Sequence, residues 1–292
     1  MHVPVLLEEV IKYLNPKSGD NFIDCTVGDG GHTIEILKKI LPDGKILGID
    51  FDKEAIETAK SQIEEEGLNK KRIIFVQGNF ADLAEIVRGV GFKNIKGIFL
   101  DLGLRTEHLE KSNRGFSFQK DEPLDMRFGG KYPNQPTAAE IINSWPKNEL
   151  GKIFKEYGEE RRCWQIAEEI VRKRKKKRIL TTRELADLAL EVYGGQRGKI
   201  HPATKIFQAL RIVVNDELEN LKKVLPQAVE LLEKNGRIAV ISFHSLEDRI
   251  VKQFIRANNL KKLTKKPITS SEEEINKNPK SRSAKLRVAE KL

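Results

Sequence analysis

The stretch Asn21-Phe-Ile-Asp-Cys-Thr-Val-Gly-Asp-Gly-Gly-His32 constrains the fold more than any other part of the 292-residue chain. An apolar run stops there at a cluster of glycines and a helical pattern follows, the sequence form of a strand that feeds a helix through a ligand-binding turn. Glycine suits such a turn because it tolerates positive φ and lets the backbone approach a ligand with no side chain between. A second apolar run, Lys45-Ile-Leu-Gly-Ile-Asp50, ends in a carboxylate about twenty residues later, the offset at which an acid meets ribose hydroxyls in nucleotide-binding folds.

The strict G-x-G-x-x-G pattern is not met, since Gly28, Gly30 and Gly31 are followed by His32 and Thr33. The acids Asp24 and Asp29 beside the turn argue against a pyrophosphate, because carboxylates next to a phosphate raise the cost of binding it. A cationic or zwitterionic adenosine ligand fits better. S-adenosylmethionine, with a sulfonium and an amino group, has that chemistry.

The rest of the chain supplies the frame. Helical spacing over residues 5–14 predicts a short helix packed across the sheet edge. Predicted strands at 21–27, 45–50, 72–77 and 96–101 alternate with helices at about 31–41, 53–66 and 80–90, which makes a parallel sheet covered on both faces. Asp50 and Asp101 both end strands, and ligands of open parallel sheets sit at the carboxyl ends. Residues 104–136 have no sustained period but hold Phe116, Phe118, Leu124 and Met126, so they read as a functional irregular segment rather than as disorder. Helical patterning then runs from Thr137 to Gly194, with a capping box at Thr181-Thr-Arg-Glu184. After His201-Pro-Ala-Thr204 one long helix is expected, carrying Phe207, Leu210, Val214, Leu218, Leu221 and Leu225. A strand, Arg237–Phe243, follows, then a helix led by His244, and two terminal strands (261–267 and 284–288) that could pair as an antiparallel edge hairpin. The expected fold is α/β, of the class I S-adenosylmethionine-dependent methyltransferase (Rossmann-like) kind with an inserted helical domain. Residues 1–103 and 201–292 form the two parts of the methyltransferase domain, and residues 104–200 form the insert.

A formal net charge of +10 and a pI near 9.4 point to a polyanionic partner, although solvated lysines alone would give the same figure. The run Arg172-Lys-Arg-Lys-Lys-Lys-Arg178 reads equally as a phosphate-contacting patch or as a solvated helix end. Cys25 and Cys163 have neither a metal-ligand spacing nor a disulfide framework, so no metal is expected and a reducing, cytoplasmic setting is. No apolar run reaches the ~18 residues of a membrane span.

Beyond these readings the chain resembles a known family, the bacterial small-subunit ribosomal RNA (cytosine-N4)-methyltransferases of the MraW type. The resemblance rests on His2-Val-Pro-Val-Leu-Leu7, Gly30-Gly-His32, Asp101-Leu-Gly103, Arg114-Gly-Phe-Ser-Phe118, Pro123-Leu-Asp-Met-Arg127, Tyr157-Gly-Glu-Glu160, His201-Pro-Ala-Thr204, Phe207-Gln-Ala-Leu-Arg-Ile212, Ile241-Ser-Phe-His-Ser-Leu-Glu-Asp-Arg249 and Asn278-Pro-Lys-Ser-Arg-Ser-Ala284, which span nearly the whole chain. It implies S-adenosylmethionine as cofactor, contacted by Gly30, Gly31, His32, Asp50, Phe80, Asp101 and His108. It also implies small-subunit rRNA or the assembled small ribosomal subunit as partner. A homodimer is compatible with it. One departure stands out: Leu104-Arg-Thr-Glu-His-Leu-Glu110 replaces the family's usual Val-Ser-Ser-Pro-Gln-Leu-Asp, so His108 occupies the place of a cofactor-contacting glutamine.

The exocyclic amine of cytosine is a weak nucleophile and the sulfonium methyl is already electrophilic, so alignment is the main task and neither a metal nor a covalent cysteine is needed. Asp101 and His244 are the catalytic candidates. Asp101 would orient cofactor or amine, and His244 would either accept a proton or merely cap the helix after it. Phe116, Phe118 and Phe243 are candidates for stacking on the base. The competing readings are a methyltransferase acting on a protein or small molecule, and an RNA-binding assembly factor without turnover.

Overall fold

The computed structural model describes residues 4–105, 109, 112–129, 135–196, 198 and 201–292. The chain divides into two units, one made of Met1–Gly103 with Leu218–Leu292 and the other of Leu104–Glu217.

The first unit carries β1 (Asn21–Asp24), β2 (Ile46–Asp50), β3 (Ile73–Gln77), β4 (Ile95–Asp101), β5 (Leu232–Ser242), β6 (Leu260–Lys262) and β7 (Lys285–Lys291) in one sheet of order β3-β2-β1-β4-β5-β7-β6. Only β7 runs antiparallel to its neighbours. Alternate residues of the same strands feed two different cores, as a sheet buried on both faces requires. Ile23, Leu47, Ile98, Leu100 and Val240 meet α4 (Leu83–Val90), the helix Glu217–Leu231 and the helix Ser245–Ala257 on one face. Phe22, Ile46, Phe99 and Ile241 meet α1 (Leu7–Leu14) and α2 (Gly31–Ile40) on the other. A further helix, α3 (Lys53–Glu65), links β2 to β3.

Three expectations shift. Helix α1 packs on β5 and β7 instead of lying at a sheet edge, because Val10 and Leu14 are apolar enough to cover an interior strand and Arg237 donates to the Tyr13 carbonyl (2.7 Å). The terminal strands do pair, but β7 enters between β5 and β6, and the polar connection folds into the short helix Glu272–Lys277 and a 3₁₀ turn at Pro279–Ser283. The long helix expected after His201 is two helices, broken where Asp216 adopts φ +49°.

The second unit follows from that break. It contains α5 (Ala138–Ser144), α6 (Lys147–Glu156), α7 (Cys163–Arg174), α8 (Thr182–Val192) and α9 (Ala203–Val214). Residues 201–217 therefore belong with the insert and not with the methyltransferase part, since Ile206, Phe207 and Leu210 of α9 share one apolar core with Phe154, Ile166 and Leu185. The remaining helices of the first unit are α10 (Glu217–Leu231), α11 (Ser245–Ala257) and α12 (Glu272–Lys277). Cys163 is buried in the core of the second unit, as a small apolar side chain would be.

The described parts of the irregular segment 104–136 are tied down by polar groups. Gly115 N–H donates to Glu122 Oε2 (2.9 Å), Arg127 makes a two-bond pair with Asp125 (2.7 Å each), and Asn215 donates to the Met126 carbonyl (2.8 Å). Gly115 has φ +75°, and a Cβ there would stand 2.3 Å from the Pro123 carbonyl oxygen. We expect Gly115→Ala to destabilise the protein by about 2 kcal/mol or more, read as a drop in urea midpoint at unchanged m.

Three of the seven cations of the basic run are ion-paired. Arg172 pairs with Glu169, Lys173 with Glu191 and Lys177 with Glu184, while the Arg174 guanidinium donates to the Ile142 carbonyl. No helix among the described residues is long and apolar enough to cross a membrane.

Candidate active site

The glycine turn is built as its sequence requires. Gly28 and Gly30 have φ +53° and +89°, and Gly30 N–H closes the turn onto the Val27 carbonyl (2.9 Å). Helix α2 begins at Gly31 with no acidic residue in its own first turn, and Asp24 of β1 instead accepts from Thr33 Oγ1 there. The two adjacent glycines also answer a packing demand: a Cβ at Gly30 would lie 3.0 Å from Ala59 Cβ, and one at Gly31 would lie 2.4 Å from Pro4 Cγ.

Three carboxylates surround this turn at the ends of adjacent strands β2, β1 and β4. Asp50 is half-buried. It accepts from Gly28 N–H (2.9 Å) and Asp52 N–H (2.8 Å), so it fixes both the glycine turn and the start of α3. Asp24 is fully buried and accepts from Thr33 Oγ1 (2.6 Å) and Thr26 N–H (3.0 Å). Thr26 Oγ1 in turn accepts from Asp101 N–H (2.6 Å), which locks the end of β4 to the turn after β1. Asp101 keeps a quarter of its side chain accessible, yet its Oδ1 is covered and has no hydrogen-bond partner among the described residues.

Burial pushes the Asp24 carboxyl up from 3.8 to about 6, against the lowering effect of its bonds from Thr33 and Thr26 and with some help from the charge of Asp50. Burial also pushes Asp101 well above the usual carboxylate range, aided by the charges of Asp24 and Glu247. A carboxyl with a raised native pKa holds its proton more tightly folded than unfolded. Its stabilising contribution is therefore complete below about pH 4 and lost as pH rises through about 6, a loss for Asp24 of about 3 kcal/mol at most. Asp24→Asn, which cannot ionise, should melt above the parent at pH 7 and with it near pH 4, as thermal scans across that range will show.

Among the other expected site residues, His32 is buried: Nε2 lies 2.9 Å from the Val5 carbonyl, the ring packs on Phe99 at 4.6 Å, and Nδ1 faces Asp101 Oδ2 at 3.7 Å. That last separation is too long for a hydrogen bond, so the two side chains meet by packing alone. His32 thus joins the amino-terminal segment to Asp101. Phe80 begins a 3₁₀ turn held by Asn79 Oδ1, which accepts from Ala81 N–H (2.9 Å), and its ring is partly buried beside the β3 end. His108 lies outside the described residues.

His244 caps α11. Glu247 N–H points to His244 Nδ1 (3.4 Å), while the Glu247 carboxylate accepts from the Phe243 and His244 amides (2.8 and 3.2 Å). With Nδ1 serving as acceptor, the neutral ring carries its proton on Nε2, 3.2 Å from Glu247 Oε1. Sequence reading missed Glu247 and Thr26. The spacing His244-x-x-Glu247 follows the capping-box pattern with histidine in the first place, and was the available signal.

The aromatic candidates separate cleanly. Phe116 is 6% exposed and stacked on Phe128 inside the second unit, so it offers no free face for a base. Phe118 is half-buried in the second unit, 4.8 Å from the His201 ring and 5.2 Å from Phe207. Phe243 belongs to the first unit, is half-buried and covers Gly103, where a Cβ would meet its Cδ2 at 3.1 Å.

This donor set suits a cationic nucleoside. The covered, unpartnered Asp101 oxygen and the raised Asp24 and Asp101 carboxyls are what a neighbouring positive charge would relieve, and Asp50 presents acceptor lone pairs at the crevice edge. Sheet order, glycine turn and strand-end acids together define a class I, Rossmann-like methyltransferase with a helical insert. The chain belongs to the MraW methylase family, whose model matches residues 1–292. It is similar to ribosomal RNA small subunit methyltransferase H of Persephonella marina, at 48% identity over 100% of this chain and 99% of the relative. The protein of the same name from Thermomicrobium roseum is 45% identical over 100% of this chain and 94% of its own length. A solved rRNA methylase from Streptococcus thermophilus aligns over 100% of this chain and 99% of its own, at 9% identity and a TM-score of 0.48.

Proposed function

We propose that this protein transfers a methyl group from S-adenosylmethionine to the exocyclic N4 amine of a cytidine in small-subunit ribosomal RNA. The observation that carries the reading is Asp101, a strand-end carboxyl with one covered, unpartnered oxygen, set beside the glycine turn in a chain of this family.

The cofactor, when bound, supplies an electrophilic methyl on a sulfonium centre. Asp50, already fixed by two backbone amides, would accept from the ribose hydroxyls, and Phe80 would pack beside the adenine. Gly30 and Gly31 admit the methionine portion against the start of α2, and His32 holds the Asp101 carboxyl in place from behind. Asp101 accepts a hydrogen bond from the amine, which orients its lone pair toward the methyl. The proton that the amine gives up on methylation would go to Asp101, whose raised carboxyl takes it more readily than an ordinary one and would return it to water. Phe243 offers its ring to the unstacked base. His244 positions Phe243 and α11 through its cap and is not assigned the proton.

The insert leaves the first unit two residues after Asp101. That chain position favours it as the element that selects RNA, and a ribosomal substrate implies a cytoplasmic protein. Incubation with labelled cofactor and small subunits from a strain lacking this enzyme should place label in the RNA. Label confined to protein or to small molecules would favour the rival methyltransferase reading, and no cofactor binding by calorimetry would favour a non-catalytic assembly factor.

A further inference from the structure

The strongest unassigned feature lies in the first unit, on the sheet face away from α1 and α2. Lys252, Ile255 and Arg256 on one face of α11, Lys262 at the end of β6, Thr264 and Lys265 after it, and Arg287 of β7 line a pocket of about 290 Å³. Ile255, Thr264 and Arg287 are buried and form its floor, whereas Lys252, Arg256, Lys262 and Lys265 are exposed around its rim. Arg287 is held by Asp248 through two bonds (2.6 and 3.2 Å), and Thr264 Oγ1 accepts from Val288 N–H (3.1 Å), so the floor is preorganised. No carboxylate lines the pocket, and the four rim cations form no ion pair among the described residues.

We propose that this pocket binds backbone phosphates of the rRNA substrate, as a second anchor outside the methyl-transfer crevice. The inference rests on the RNA reading given above. Four unpaired cations around a floor whose Arg287 is fixed by Asp248 make a concave positive rim that suits a phosphodiester chain. The register favours RNA already held at the active site: Arg287 lies opposite Val240, and Val240 lies opposite Leu100, one residue before Asp101. Two strand spacings, about 10 Å, therefore separate the β7 floor from the strand that ends in Asp101, and the β6 rim is one spacing further. The run at 172–178 is more conspicuous in the sequence, but three of its seven cations are ion-paired.

The test is the triple variant Lys252→Gln, Lys262→Gln, Lys265→Gln, which removes only exposed, unpaired charges. Binding to small-subunit rRNA across a salt series should weaken about tenfold or more at low salt, and the slope of log affinity against log salt should fall by about 2, near 0.7 for each lost single-strand contact. Cofactor affinity and melting temperature should keep their parent values. Parental affinity and slope in the variant overturn the proposal. So does a variant that loses binding only to inorganic phosphate or to phosphatidylserine vesicles while its rRNA binding stays parental. If the parent itself does not bind rRNA, the substrate reading fails, a result separable from failure of the pocket because it appears before any substitution.

Discussion

Asp101→Asn should lower the turnover of rRNA methylation roughly 10²- to 10⁴-fold, the range for losing a positioned proton acceptor, while leaving the fold intact or slightly more stable. The amide keeps the size of the carboxyl but neither accepts the proton nor answers the positive charge of the cofactor. Its stability should not fall, because the native carboxyl is pushed up by burial and by the charges of Asp24 and Glu247, and an uncharged group in that place escapes both penalties. The N–H of residue 101 still donates to Thr26 Oγ1, so the end of β4 stays anchored. Single-turnover kinetics with saturating cofactor, together with thermal melting, separate the two effects. A variant that loses activity in step with melting temperature would make Asp101 a structural residue.

Asp50→Ala should weaken cofactor binding by roughly 30-fold or more, as expected for the loss of charge-assisted bonds to ribose hydroxyls at about 1.5–3 kcal/mol each. The sequence alone suggests that such a change would barely touch stability, since a crevice carboxylate serves its ligand. The structure changes that expectation. Asp50 accepts from Gly28 N–H and Asp52 N–H, and truncating it leaves two backbone donors without their partner at the turn and at the head of α3. A fall in stability of about 1–3 kcal/mol should accompany the loss of affinity. Asp50→Asn, which retains one acceptor oxygen, should recover part of the stability and little of the affinity. Calorimetry with cofactor alongside urea unfolding measures both, and unchanged affinity in the alanine variant would remove Asp50 from the cofactor site.

The parts of this fold that local chemistry dictates were legible in the sequence. Continuous apolar runs ending in Asp50 and Asp101, glycines after β1 and the capping box at Thr181 each state their own structure, because the cause lies within a few residues. The parts set by distant partners were not. The break at Asp216 has a local signal, since Asn215 and Asp216 are residue types that stop helices and tolerate positive φ, but the apolar spacing runs straight through it, and the bond from Asn215 to the Met126 carbonyl, 89 positions away in the chain, has no trace in the sequence. Residues 201–217 belong with the insert because Ile206, Phe207 and Leu210 share its apolar core.

The site divides along the same line. Asp50 and Asp101 could be placed from strand ends, but their anchoring to the turn after β1, Asp50 through Gly28 N–H and Asp101 N–H through Thr26 Oγ1, depends on side chains meeting backbone amides across three strands. Gly31 looked like a ligand glycine, and the structure gives it a protein neighbour as well, Pro4 from the segment ahead of α1. His244 looked equally like a base or a cap, and only the geometry of Glu247 shows the cap. Charge is read differently along the chain and in space. Arg172 to Arg178 are contiguous in sequence, yet Arg172, Lys173 and Lys177 are paired in space with Glu169, Glu191 and Glu184, whereas the unpaired cations Lys252, Arg256, Lys262 and Lys265 are spread over fourteen positions and gathered by α11 and the segment around β6.

The central claim is that the methyl group goes to the N4 amine of a cytidine through Asp101, with no covalent step on a cysteine. The most direct measurement is mass spectrometry of nucleosides from small-subunit rRNA treated with cofactor and either the parent, Asp101→Asn, or a variant with both Cys25 and Cys163 replaced by alanine. N4-methylated cytidine with the parent and the cysteine-free variant, and almost none with Asp101→Asn, is the predicted result. Methylation at carbon-5, or N4-methylated cytidine formed by Asp101→Asn at the parental rate, would contradict the account.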